Sequence, residues 1–187
     1  MKILKLFLGF ILLTGCFAFQ ERSKESIALS NIYQSVSTRL NEKYHLLAIS
    51  TGSTNDRGDS DADPENIKFT ILSMYYNRYG PGSDNIDEAR EMILDCAQEF
   101  LKKINDTPDF RPDMKVYPFK AKNISLAIFN YEKDGTPIRF PYISTISLSG
   151  GKISYNSYGD KIVLPFVREI TETYEEALLR SKQAHPN

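Results

Sequence analysis

Between Gly80-Pro81-Gly82 and Pro108 the chain carries its clearest amphipathic pattern, and that pattern limits what everything around it can fold into. Ile86, Ala89, Ile93, Cys96, Ala97, Phe100 and Ile104 recur mostly at spacings of three and four, so a helix over 86–104 gathers them into one stripe. Asn85 with Glu88 makes a capping-box pattern at its start. Asp87 and Glu88 at one end and Lys102 and Lys103 at the other suit the helix dipole, and Asn105 and Pro108 stop it. A helix with a single apolar stripe needs an apolar surface to cover it. The segments on either side supply strands for that purpose.

Upstream, Ser23 is the N-cap expected for a helix running to about Tyr44, with Leu29, Ile32, Tyr33, Val36, Leu40 and Tyr44 on its buried side. His45 to Thr51 forms a strand ended by Gly52. Residues 52–65 are too polar to bury surface of their own, which predicts a loop. A strand follows from Ile67 to about Tyr76, apolar on both faces and therefore central or doubly covered. Downstream, residues 106–122 contain three prolines and form an irregular connection. Ile124 to about Glu132 alternates as a strand, Asp134-Gly135 turns, and residues 142–149 and 152–158 make a hairpin around Gly150-Gly151. Pro165 suits the first turn of a last helix over 165–182, burying Phe166, Ile170, Tyr174, Ala177 and Leu178. The order α-β-β-α-β-β-β-α implies an α+β domain: an antiparallel sheet of about five strands with three helices packed on it.

The first sixteen residues, MKILKLFLGFILLTGC, say where such a domain works. Lys2 and Lys5 precede an apolar run too short to span a bilayer, and small residues follow, the pattern of a secretory signal peptide. Leu13-Thr14-Gly15-Cys16 resembles the lipobox of bacterial lipoproteins at all four positions. The resemblance implies cleavage before Cys16 and a diacylglyceryl group, with a further acyl chain, on that cysteine. Several chains make attachment effectively permanent where one does not. Residues 1–15 are then the signal, 16–22 a lipidated tether, and 23–187 a single globular domain in the cell envelope. Phe17, where lipoproteins kept at the inner membrane often have Asp, favours the outer membrane in a Gram-negative cell.

Removing the signal leaves about 170 residues, enough for one domain with a core, and a net charge of about −3 with no long basic run. Nucleic-acid binding has no electrostatic footprint in such a chain. With Cys16 acylated, Cys96 has no partner for an intrachain disulfide.

Little of the chain suggests catalysis. His45 and His185 are its two histidines, no G-x-S-x-G occurs, Cys96 lies on an apolar stripe, and Asp87-Glu88 and Glu175-Glu176 sit where capping explains them. Asp59, Asp61 and Asp63 alternate as in a calcium loop, but Pro64 and Thr70 stand where an EF-hand needs Gly and Glu; they are a weak metal candidate. No cofactor is expected. Arg57-Gly58-Asp59 matches an integrin-recognition tripeptide, a short motif that supports host-cell adhesion only as a minor alternative. The clustered Tyr75, Tyr76 and Tyr79 offer rigid area with polar tips, as interfaces favour. The expectation is a membrane-anchored, non-enzymatic envelope lipoprotein binding a protein or another envelope component. The alternative is a small envelope hydrolase or a ligand-binding lipoprotein. Replacing Cys16 with Ala is expected to abolish labelling by an alkynyl palmitate, read by in-gel fluorescence against wild type.

Overall fold

The structure, a computed structural model, describes residues 24–56, 68–160 and 166–184. Among these, the order is α1 (Lys24–Tyr44), β1 (Leu46–Asp56), β2 (Lys68–Tyr79), α2 (Ile86–Asn105), β3 (Ile124–Tyr131), β4 (Thr145–Ser149), β5 (Lys152–Ser157), β6 (Arg168–Thr173) and α3 (Tyr174–Ala184). The fold is α+β, with six strands in one sheet arranged in chain order. Every neighbouring pair is antiparallel except β2 and β3. A tight turn cannot make a parallel pair, and here the crossover runs through α2.

α2 begins where its sequence says. The Asn85 side chain accepts hydrogen bonds from the backbone N–H groups of Asp87 (3.0 Å) and Glu88 (3.3 Å). Glu88 closes the box indirectly: its carboxylate accepts from Ser83 Oγ, which in turn accepts from the Asn85 N–H. The rest of the stripe, from Ala89 to Ile104, is buried in the one core. α1 packs along one side of α2 and α3 along the other, so the helices cover a single face of the sheet. On that face the β2–β3 register sets Leu72, Met74 and Tyr76 beside Ile124, Leu126 and Ile128, and β4 and β5 add Ile146, Leu148, Ile153 and Tyr155. The opposite face is lined by half-buried Ser73, Tyr75, Ala127, Ser147 and Ser154.

Besides the sixth strand and the parallel β2–β3 pair in what was expected to be an antiparallel sheet of about five strands, the structure departs from the sequence expectations locally. β1 does not stop at Gly52 but continues to Asp56, because residues 52–54 pair with 71–73 of β2; the start of the expected loop is therefore strand. The expected connection at 106–122 contains two short 3-10 turns, of which the first buries Phe110 against Phe69. The expected helix over 165–182 is divided. Residues 168–173 form a sixth strand, in which Ile170 and Glu172 face the core, and only then does α3 begin. Its start is a reciprocal capping box: Glu176 N–H donates to Thr173 Oγ1 (3.1 Å), and Thr173 N–H to the Glu176 carboxylate (2.8 Å). The Thr173 N–H holds the Glu176 carboxyl below its ordinary range. Pro165 lies outside the described residues.

Among the described residues, Glu172 on β6 and Arg90 on α2 are the charged exceptions in the core. Glu172 Oε1 accepts from Arg90 Nε (2.8 Å) and from the Tyr155 hydroxyl of β5 (2.7 Å). Its Oε2 lies 3.1 Å from Arg180 of α3, an ion pair rather than an aligned hydrogen bond. Arg90 also pairs with Asp87. Burial opposes the Arg90 charge, yet the carboxylate of Glu172 outweighs it and holds the guanidinium above its ordinary pKa. Four elements thus meet at one carboxylate. Removing one partner of a buried pair strands the other, at about 3–5 kcal/mol. Glu172→Ala is accordingly expected to lose that much stability in urea unfolding, and Glu172→Ala with Arg90→Met markedly less.

Candidate functional site

Five strands change character at the same level of the helix-covered face. Along each of them the apolar series gives way to a polar residue: Tyr76 to Arg78, Ile128 to Asn130, Ile146 to Ser144, Tyr155 to Ser157, and Ile170 to Arg168. The register places them in one row. Arg78 stands opposite Asn130, Asn130 N–H donates to Ser144 O (2.9 Å), Ser144 N–H to Asn156 O (2.7 Å), and Ser157 stands opposite Arg168. Asn130, Ser144 and Ser157 are only 6%, 1% and 1% exposed. Ser144 Oγ accepts from Tyr158 N–H, and Asn130 Nδ2 donates to Ile143 O (3.0 Å). Asn130 Oδ1 and Ser157 Oγ have no hydrogen-bond partner among the described residues. A buried orphan of this kind costs about 1–3 kcal/mol.

Between this row and the start of α2 lies a cavity of about 30 Å³, bounded by Arg78, Ser83, Asn85, Glu88, Asn130 and a wall of Ala89, Met92, Ile143 and Ile146. It sits beyond the carboxyl ends of the parallel pair β2 and β3, at the N-terminus of the crossover helix, the position at which open α/β sheets hold ligands. The loop after β3 closes it. Ile143 N–H donates to Ser83 O (2.8 Å), and Tyr142 lies over Gly82 so closely that a Cβ there would meet its ring carbon at 2.6 Å. A second hollow, about 220 Å³, lies between α1, α2 and α3, but it is shallow, and the Lys43–Asp95 ion pair (2.6 Å) occupies its rim.

The helix-free face is different in kind. Tyr79 and Tyr131 stack with ring centroids 5.5 Å apart, and Tyr158 packs on Phe166 at 5.3 Å. Burial, and then the neighbouring Tyr131 phenol, push the Tyr158 hydroxyl above its ordinary pKa, so the two pairs adjoin. Phe129 and Tyr75 continue the aromatic surface, and Leu47 of β1, 49% exposed, stands two strands from Phe129. Thr145 and Asn156 beneath this cluster are buried.

Of the three tyrosines singled out in the sequence, Tyr75 and Tyr79 belong to this face. Tyr76 does not: alternation turns it into the core, fully buried, where its hydroxyl donates to Met74 Sδ. His45 is exposed and closes α1 with φ of 58°, its N–H donating to Asn41 O (2.9 Å), so its role is in the backbone. Cys96 is a free, buried thiol whose pKa burial pushes far up, leaving it inert. Cys16, Arg57, Gly58, Asp59, Asp61 and Asp63 lie outside the described residues. Among the described residues no cluster of His, Cys, Asp and Glu is placed to hold a metal ion, and no helix is long and apolar enough to cross a membrane. Sequence reasoning missed Asn130, Arg78, Ser144 and Ser157. Their signal was a polar residue at the end of each period-two apolar series.

The fold and site define an α+β protein with a one-sided helical layer and a polar row at the strand ends. No protein-family model, no curated protein and no solved structure matches the chain.

Gly82→Ala is expected to force the Tyr142 loop off the cavity and to lower stability by about 1–3 kcal/mol, as overpacking does. In a Tyr142→Ala background the same change is expected to be nearly neutral by thermal melting.

Proposed function

We propose that this chain is a lipid-anchored protein of the bacterial envelope whose folded domain is a non-enzymatic binding module for another protein. The anchor rests on the lipobox-like Leu13-Thr14-Gly15-Cys16. The binding reading is carried by one observation: the described helices lie on one side of the sheet, and Tyr75, Tyr79, Phe129 and Tyr131 collect on the other. Aromatic side chains bring large contact area at small entropic cost, and such surfaces favour protein partners. The exposed placement of His45 and the inert Cys96 thiol also support a binding role over hydrolysis. In an outer-membrane setting the tether would keep the domain near the bilayer while leaving the sheet face free to meet a neighbour.

The test is in-cell photo-crosslinking with a benzophenone residue placed at Tyr79 or Tyr131, with Leu179 as control; Leu179 is 59% exposed on α3, on the helical side. A discrete adduct is expected at the two sheet positions and not at Leu179. Equal adducts at all three positions, or none at Tyr79 and Tyr131, overturn the assignment.

A further inference from the structure

We propose that the end of the domain at which the tether joins is a seat for an anionic phospholipid surface, that of the bilayer carrying the anchor. The proposal rests on the lipobox reading of Cys16 and adds an orientation to it. Residues 16–23 separate that cysteine from α1, and a chain of that length spans at most about 28 Å. α1 packs on the 3-10 turn Pro108–Asp113 that follows α2. Its last turn lies at the other end of the sheet, where β1 begins and Leu46 stands opposite Arg78. The first turn of α1 is therefore at the Pro108–Asp113 end, and the chain enters the domain there. Tyr79 and Tyr131 close the opposite end, about 30 Å away along the 21 residues of α1.

The entry end exposes the groups that a bilayer interface takes up. Val116, Tyr117 and Pro118 form an exposed tip, the first two 43% and 49% exposed. The tip is pinned to the end of α2. The Tyr117 hydroxyl donates to Asn105 O (3.4 Å) and accepts from Arg111 (2.9 Å), whose guanidinium lies 4.3 Å from the ring centroid. Exposed Lys120 and Lys122 follow, and Lys122 backs onto the Gly150-Gly151 turn that leads into exposed Lys152. From 111 to 122 the cations Arg111, Lys115, Lys120 and Lys122 stand against one carboxylate, Asp113. Nearby, Asp106 pairs with Lys102, and Glu176 is turned into its capping box. The acidic connection between β1 and β2 leaves this end at the β1 edge, so an anionic surface favours the side of Lys122 and Lys152. Tyrosine settles at the level of the headgroups, and lysine and arginine reach from beside it to lipid phosphate. The tether makes the encounter intramolecular, so a surface too weak to attach a free domain suffices to orient an anchored one.

The experiment reconstitutes the full chain, purified from membranes, into vesicles of phosphatidylethanolamine and phosphatidylglycerol, and reads flotation and label depth together. A fluorophore is attached at Val116→Cys or at Phe140→Cys; Cys96 is buried and stays unlabelled. Phe140 is exposed at the far end, its N–H donating to Tyr158 O just beyond β5. Quenching by a nitroxide-bearing lipid is expected to be several-fold stronger at 116 than at 140. Lys120→Glu with Lys122→Glu is expected to bring quenching at 116 down to the level at 140 while the protein still floats; both lysines are exposed, so the fold bears the change. Equal quenching at the two positions in floating vesicles, or a difference that survives charge reversal, overturns the seat and leaves the anchor standing. A protein that does not float with the vesicles overturns the anchor and the seat with it.

Discussion

Burial of the α2 stripe is the constraint from which the rest of the architecture follows. Ile93, Phe100 and Ile104 are fully buried, and side chains of this size contribute about 1.5–3 kcal/mol each when removed from water. A helix that long, held on the sheet between β2 and β3, makes those two strands parallel and brings them side by side. The antiparallel strands then grow outward on both sides, β1 from β2 and β4 to β6 from β3. α1 and α3 complete the layer by flanking the central helix. The Glu172 network does not drive this assembly; it pins α3 and β6 to α2 at one point, a matter of alignment more than of net stabilisation.

Against that core the polar row is a local concession. Two orphan oxygens, on Asn130 and Ser157, offset about as much free energy as one or two buried aliphatic side chains supply. The fold tolerates this because the row lies beyond the start of α2, where the apolar stripe has ended. Local violations of otherwise consistent packing gather where proteins bind something. The same level of the sheet also carries, on its reverse side, the aromatic cluster of Tyr79, Tyr131 and Tyr158. The polar row and the aromatic cluster thus share one end of the strands.

The strong periodic signals were legible in the chain itself. α2 starts at Ile86 behind its Asn85 cap, and the turns at Asp134-Gly135 and Gly150-Gly151 take the positive φ values that glycine permits. The α+β class followed from the segregation of strands. What could not be read was pairing order, because alternation is indifferent to whether a neighbouring strand is parallel. Phe166, Ile170, Tyr174 and Ala177 fit a spacing of three and four, which reads as helix across β6; the structure starts the helix only at the Thr173–Glu176 box. The candidate site was least visible. Each polar residue of the row is unremarked alone, and only strand register sets Arg78, Asn130 and Ser144 side by side.

Among the described residues β1 is an edge strand, and its pairing with β2 is interrupted near Ile49 and again between Thr54 and Asn55. Such irregularities break the even spacing of outward-pointing amide and carbonyl groups. A second copy approaching along that edge would fall out of step after a few residues, so runaway strand-to-strand stacking is disfavoured by geometry even where copies are crowded together. Exposed Leu47 and Ile49 thus lie on a strand whose irregular edge works against strand addition.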